Sequence, residues 1–139
     1  MFIQQISVFI ENRHGSLTDF TQLLGENGVD LIALSIADTT NFGILRAIVS
    51  DNEKTLKVVR DKGYTANLTE VLAVAVPDVP GGLAGVLQLL RDNDISVEYL
   101  YSFVRRVGND AIIIFRVDQP ERAGNLLRDK GVRLLEQDE

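Results

Sequence analysis

The chain contains an internal duplication, and this feature restricts its fold more than any other. A shift of 66 positions aligns residues 14–34, HGSLTDFTQLLGENGVDLIAL, with residues 80–100, PGGLAGVLQLLRDNDISVEYL. Two extra residues near RRVGND in the second copy change the shift to 68, and RDKG at 60–63 then meets RDKG at 128–131. Matches that keep the same order over the whole chain are typical of a repeated structural unit. We therefore expect a unit of about 68 residues that folds twice.

Each copy predicts the element order βαββαβ. Branched residues in weak alternation predict a first strand over 3–10 and over 68–76. A turn with glycine then precedes a helix with its apolar residues on one face, and Ser16 with Asp19 resembles a capping box. The other predicted elements are hairpins around Asn41 and around Gly108 and Asn109, second helices from Asp51 to Gly63 and from Asp118 to Gly131, and last strands over 64–68 and 132–136.

This order predicts an α+β fold. With right-handed crossovers, βαββαβ gives an antiparallel four-stranded sheet with two helices on one face, the ferredoxin-like arrangement. The predicted domains are residues 1–68 and 69–139, with so short a connection that the domains are expected to dock rigidly or even to share a strand. We expect the two sheets to pack about a pseudo-twofold axis. Uncovered sheet edges or faces then predict that the chain forms a homodimer.

Composition excludes several classes of function. Fourteen Lys and Arg against twenty Asp and Glu give a net charge of −6, which disfavours binding to nucleic acid. The absence of cysteine excludes disulfides, thiol nucleophiles and zinc–thiolate clusters, and a single histidine excludes a multi-histidine metal site within one chain. No run of about 18 apolar residues is present, so we expect a soluble, cytoplasmic protein that does not span a membrane.

The residues also argue against catalysis. No acid and base groups stand at adjacent spacing, so no catalytic residue and no cofactor are predicted. An RNA-binding module of this fold needs basic and aromatic residues on its central strands, which are aliphatic here. An acyl phosphatase remains a weak alternative, because Arg13 lies in a first loop of the kind that cradles phosphate there, but the second copy has Val79 at that position.

The duplicated turn, ENRHGSL in the first copy and PDVPGGL in the second, resembles the ACT domain, a small regulatory module that binds amino acids in many enzymes of amino-acid metabolism. The family pattern is Asn or Asp, a spacer, Pro-Gly, a small residue and Leu, followed after the helix by Val or Ile, a small polar residue and an apolar one. DVPGGLAGVLQLLRDNDISV fits closely, and the first copy departs in having His14 in place of proline. The resemblance covers the whole chain and implies two ACT units in tandem.

The turn suits the binding of an amino acid. A helix start has N–H groups without acceptors and a partial positive charge, which favour a carboxylate. Gly15 or Gly81 would let a ligand approach the backbone, and Asn12 or Asp78 could accept from its ammonium group. The alternative, from the residues alone, is an ordinary turn with Asn12 bonded to its own backbone.

Geometry then predicts two sites, each shared between copies. Asp30 and Leu31 are expected at the opposite end of the sheet from the turn of their own copy, so they would meet the turn of the other copy across the pseudo-twofold. Predicted site A consists of Asn12, Arg13, His14, Gly15, Ser16, Leu17, Ser96 and Val97. Predicted site B consists of Asp78, Val79, Pro80, Gly81, Gly82, Leu83, Asp30 and Leu31.

The two predicted sites differ in charge. Arg13 could reinforce carboxylate binding in site A, whereas Asp78 and Asp30 would oppose an anion in site B, so we expect site A to bind an ordinary amino acid more tightly. His14 is equally well explained as an exposed loop histidine.

The sequence therefore predicts a non-catalytic regulatory protein that senses a small amino acid or related metabolite between ACT domains. One alternative is a regulatory subunit held on a biosynthetic enzyme, as in acetolactate synthase small subunits, which the chain resembles in outline. The other is a dimerisation module without a ligand. An allosteric role requires that the ligand contact both sides of an interface that can change.

Overall fold

The structure is a computed structural model, and it describes residues 1–38, 42–104 and 106–137. The predicted turn around Asn41 lies outside these ranges. The strands are β1 Ile3–Glu11, β2 Leu31–Asp38, β3 Phe42–Val49, β4 Ala66–Pro77, β5 Val97–Ser102 and β6 Asp110–Val117. The helices are α1 Ser16–Glu26, α2 Asn52–Asp61, α3 Gly82–Asp92 and α4 Pro120–Asp129. The predicted α+β fold with two ferredoxin-like units is confirmed.

Backbone contacts divide the chain into two compact units. The amino-terminal unit is Gln4–Thr69, and the carboxy-terminal unit begins at Glu70 and also includes Met1–Ile3. The two strands predicted over 64–68 and 68–76 form one continuous strand, β4, so the predicted domain boundary after residue 68 lies inside a strand.

In the amino-terminal unit, β3 lies between β2 and β1 and is antiparallel to both. Leu45 is opposite Val8 of β1 and Ile36 of β2, and beyond β1 the Phe9 N–H donates to the Thr65 carbonyl at 3.1 Å. Both helices pack on the same face of this sheet. The buried core consists of Ile6, Val8, Ile10, Phe20, Leu24, Val29, Leu45, Ala47, Val49, Val59 and Ala66. Each fully buried Phe or Leu contributes about 1.5–3 kcal/mol to folding.

The carboxy-terminal unit repeats this arrangement, with β6 between β4 and β5. Phe115 is opposite Leu72 of β4 and Leu100 of β5, and α3 and α4 cover one face through Val86, Leu90 and residues of α4. The strand predicted over 132–136 is reduced to a single bridge between Leu134 and Val74. The predicted strand was too long. Its pairing with β4 consists of the Ala75 N–H donating to the Arg133 carbonyl and the Leu135 N–H donating to the Ala73 carbonyl.

The hairpin predicted around Gly108 and Asn109 in the second copy is present. Val107 and Asp110 exchange backbone hydrogen bonds of 3.2 and 3.1 Å around Gly108 and Asn109. Gly108 has φ 62°, the left-handed conformation that a two-residue hairpin turn requires.

No helix in the described ranges is long and apolar enough to span a membrane.

The repeated RDKG forms the same helix ending twice. After α2, the Tyr64 N–H donates to Val59 and the Gly63 N–H donates to Arg60, at 3.0 and 2.9 Å. This is the Schellman pair of hydrogen bonds, and it places Gly63 at φ 90°. Val132 and Gly131 repeat both bonds after α4. The duplicated tetrapeptide is therefore explained by backbone geometry, since the glycine must be left-handed.

The first helix of each unit ends in the same way, but the residues differ. Gly28 has φ 70° after α1, whereas its counterpart after α3 is Asp94, with φ 57°. Among the described residues Asp94 is the one non-glycine residue with a positive φ. The left-handed conformation costs a non-glycine residue about 1–2 kcal/mol.

We predict that Asp94→Gly raises the free energy of unfolding by about 0.5–1 kcal/mol, because glycine removes the strain but adds entropy to the unfolded chain. Urea unfolding followed by circular dichroism measures the change. The matched substitution Gly28→Asp should lower stability by a similar amount. A loss of stability in Asp94→Gly would contradict the assignment of strain to this residue.

Candidate functional site

A type II turn followed by a helix start occurs at the same place in both units. The Ser16 N–H donates to the Arg13 carbonyl at 3.2 Å, and Gly15 between them has φ 85° and ψ −8°. In the second copy the Gly82 N–H donates to the Val79 carbonyl at 3.0 Å, with Gly81 at φ 84° and ψ −5°. Type II turns require a residue of positive φ at the third position, which is why glycine stands there in both copies.

The same turn explains the proline of the second copy and its absence from the first. Pro80 occupies the second position of its turn, where the fixed φ of proline is favoured. His14 occupies that position in the first copy and is exposed. The type II turn tolerates other residues there, so the departure from the family pattern leaves the backbone unchanged.

The predicted capping box at Ser16 and Asp19 was wrong. Gly15 is the N-cap of α1, and Ser16 is already the first helical residue, so its side chain is not placed to accept from the first turn. Neither α1 nor α3 has a side-chain cap, whereas Asp51 caps α2 by accepting from the Lys54 N–H. The start of α1 therefore keeps the N–H groups that have no acceptor within the helix, in a position that favours an anion.

A cavity of about 540 Å³ lies beside α1, entirely within the amino-terminal unit. It is bordered by α1, by the ends of β1 and β3, and by residues 62–65, which connect α2 to β4. Its volume is in the range of small-molecule sites. The lining residues are Phe9, Ile10, Glu11, Arg13, Ser16, Asp19, Gln22, Leu23, Glu26, Phe42, Lys62, Gly63, Tyr64 and Thr65.

Ser16 lines this cavity with an unsatisfied polar group. The residue is 6% exposed, and its Oγ is buried with no hydrogen-bond partner. A buried hydroxyl in this state costs about 1–3 kcal/mol. Such a group calls for an explanation, because buried hydroxyls are usually hydrogen-bonded.

The second copy cannot present the same group. Gly82 is the counterpart of Ser16, and a Cβ at Gly82 would overlap the carbonyl oxygen of Pro77. The end of β4 therefore approaches α3 too closely for any side chain at this position. The two turns share their backbone geometry but differ at the residue that begins the helix.

Charges around the amino-terminal turn are partly paired. The Arg13 guanidinium lies 3.2 Å from Glu11 and 3.5 Å from Asp19, so a ligand carboxylate would compete with two side chains for it. In the part of the chain that the structure describes, Lys62 and Glu26 line the cavity without an ion pair. One unpaired cation and one unpaired anion thus border the same space.

The structure places the residues of predicted site A in both units. Asn12 to Leu17 form the turn and the start of α1, and Arg13 and Ser16 are the two that reach the cavity. Ser96 and Val97 belong to the carboxy-terminal unit, where they line a hollow of about 420 Å³ together with Arg91. The joining of these two groups into site A stays a prediction.

The residues of predicted site B are also divided. Asp78 to Gly81 form the exposed turn, and Gly82 and Leu83 begin α3 and are half-buried. Asp30 directly precedes β2, which begins at Leu31 in the amino-terminal unit. Leu31 is level with Val49 of β3, whereas Glu11 is level with Phe42, so Asp30 and Leu31 lie at the opposite end of the sheet from their own turn, as predicted. Site B as a whole stays a prediction.

Sequence reasoning missed two groups of residues. Arg106, near the two extra residues of the second copy, is 2.6 Å from the Asp78 carboxylate and pairs with the charge expected to act in site B. Residues 62–65 were assigned only to a helix end and a strand, although they line the cavity. The signal that could have found them is topological, since this segment leads into the strand beside β1 and so returns to the turn.

Comparisons with known proteins agree with this arrangement. A family model described as an ACT domain pair matches residues 1–139. The protein BT0572 from Bacteroides thetaiotaomicron is 38% identical, with a TM-score of 0.92 over 99% of this chain and 94% of that one. The regulatory subunit of aspartate kinase from Thermus thermophilus, in its ligand-free form, is 16% identical, with a TM-score of 0.63 over 91% of each chain. Escherichia coli aspartokinase III, in complex with lysine and aspartate, is 12% identical, with a TM-score of 0.53 over 93% of this chain and 31% of that one. No curated protein matches the chain.

We predict that Ser16→Ala raises the free energy of unfolding of the ligand-free protein by up to about 1 kcal/mol, because it removes a buried hydroxyl that has no partner. The control is Ser50→Ala, since the Ser50 Oγ accepts from the Asp30 N–H at 2.9 Å and its loss should cost about 1 kcal/mol. Urea unfolding of both variants makes the comparison. Equal losses of stability in the two would show that the Ser16 hydroxyl is satisfied.

Proposed function

Since the chain belongs to the ACT domain family as a pair of ACT domains, we propose that it is a non-catalytic regulatory protein that binds a small amino acid. The observation that carries this proposal is the start of α1, an uncapped helix end beside a cavity of about 540 Å³ that Ser16 and Arg13 line. A carboxylate is the natural ligand for such a helix start.

The solved structures support the same class of ligand and role. The relatives of similar fold include regulatory subunits of aspartate kinase, and an aspartokinase whose structure is a complex with lysine and aspartate. At 16% and 12% identity, these proteins show only that they share their fold with this chain. They nevertheless favour an amino acid over a nucleotide or a lipid as the ligand to test first.

The proposed sites at the contact of two ACT domains are sites A and B, with site A the tighter. Site A is favoured because its turn carries Ser16 and the cavity, while Gly82 leaves the corresponding place in site B without a side chain. Asp78 is in addition held by Arg106. A ligand that contacts two domains can stabilise one docking arrangement over another, and this is how binding would be passed to a partner.

A second candidate is a regulatory subunit held permanently on an enzyme of amino-acid biosynthesis. It is favoured by the fold shared with the Thermus thermophilus subunit, which the chain matches over 91% of both lengths. We propose that the protein acts in the cytoplasm as a homodimer, on its own or on such an enzyme. Co-purification of a large partner at fixed stoichiometry distinguishes a permanently bound subunit from a free regulatory protein.

We predict that at least one of the twenty amino acids raises the melting temperature of the purified chain in differential scanning fluorimetry. At a ligand concentration about a hundredfold above Kd, binding adds about 2.7 kcal/mol to stability, a shift of several degrees for a protein of this size. The control is the same series with the corresponding amino-acid amides, in which the carboxylate is lost. No shift with any amino acid at millimolar concentration would contradict the proposal.

A further inference from the structure

The first residues of the sequence complete the core of the carboxy-terminal unit. Met1 and Phe2 belong to this unit and pack against its buried cluster. The Met1 side chain lies on α4 at Gly124, and a Cβ placed at Gly124 would overlap the Met1 Sδ. A helix position without a side chain therefore provides the space for a methionine from a distant part of the sequence.

The duplication shows what fills this space in the other unit. In the alignment that brings the two RDKG segments together, Gly124 of α4 is the counterpart of Leu56 of α2. Leu56 packs against the core of its own unit. Glycine in the interior of a helix lowers stability, because it adds entropy to the unfolded chain and has no side chain to pack. Met1 therefore does for the second unit what Leu56 does for the first.

Two ion pairs also hold Met1, but both are open to solvent. The Met1 nitrogen lies 2.7 Å from one carboxylate oxygen of Glu136, and the other oxygen lies 2.6 Å from the Arg128 guanidinium. Ion pairs in contact with water contribute little to stability. The packing of the Met1 thioether on α4 therefore decides whether this segment stays in place.

We propose that Met1 is a modification site, a thioether whose oxidation releases the start of the sequence from α4. The side chain is 16% exposed, so a small oxidant reaches it without unfolding of the unit. Met1 is the one methionine of the sequence, and the sequence has no cysteine, so no other sulfur competes for the oxidant.

The reaction takes a hydroperoxide as the oxidant. Sδ attacks the terminal oxygen, the O–O bond breaks as the S–O bond forms, and the proton of the transferred oxygen moves to the oxygen that leaves as water or an alcohol. The sulfur loses two electrons and the peroxide gains two. The resulting sulfoxide is polar, and burying a polar oxygen among apolar side chains without a hydrogen bond is unfavourable. Oxidation therefore favours the state in which Met1 has left Gly124.

The experiment treats the full chain with hydrogen peroxide, follows the added oxygen by mass spectrometry and compares melting temperatures before and after. We expect addition of a single oxygen atom and a fall of about 3–6 °C, because the carboxy-terminal core loses a packed side chain. Methionine sulfoxide reductase should restore the original melting temperature, since this oxidation is reversible. In two-dimensional NMR, the amides of residues 120–129 should shift on oxidation, and those of residues 52–61 in the matched helix should not.

Gly124→Leu is the matched variant, because it gives α4 the residue that α2 has at this position. The leucine occupies the space of the Met1 side chain, so Met1 is displaced before any oxidation. We expect hydrogen peroxide to oxidise Met1 faster in this variant than in the wild type and to leave the melting temperature unchanged.

An equal fall in melting temperature in the wild type and in Gly124→Leu overturns the proposal. So does an oxidised wild type that melts at the original temperature, or a thioether that resists peroxide until urea unfolds the chain. Should Gly124→Leu fail to fold, NMR of the oxidised wild type decides, and equal shifts in α2 and α4 contradict the release of Met1. Each outcome is independent of amino-acid binding, because no ligand is added.

Discussion

A glycine held in the left-handed conformation sets the start of the first helix in both units, and the rest of each unit depends on it. Gly15 and Gly81 close type II turns directly after a buried strand, and this fixes the point at which the chain leaves the sheet. Because Gly15 and Gly81 are the N-cap residues and have no side chain, both helices begin without a side-chain cap. The same tight turn that reverses the chain here therefore leaves helix N–H groups available to an anion.

Duplication preserved the backbone and released the side chains to diverge. The helix endings after α2 and α4 keep both glycines, since another residue there would be strained. Elsewhere the copies differ, with Ser16 against Gly82 and Gly28 against Asp94. The first of these differences leaves an unsatisfied hydroxyl beside a cavity in the amino-terminal unit only. Natural proteins commonly keep a destabilising group where function requires it.

Much of the fold could be predicted because it follows from periodicity and from glycine positions. The element order and the hairpin at Gly108 and Asn109 are local signals, and the structure confirms them. The fusion of two predicted strands into β4 and the short last strand were missed, because strand length is set by the partner and not by the strand itself. For the site, the turn could be predicted from its motif. Lys62 could not, because its approach to the turn depends on where the α2 to β4 connection passes in three dimensions.

We infer that the amino-terminal turn binds the ligand more tightly than the turn of the second unit. The most direct test is a titration of the ¹⁵N-labelled chain with a stabilising amino acid, followed by two-dimensional NMR of the backbone amides. We expect amides of residues 11–19 and 62–65 to shift at lower ligand concentration than those of residues 77–85. Equal responses at both turns, or shifts confined to other parts of the chain, would contradict it.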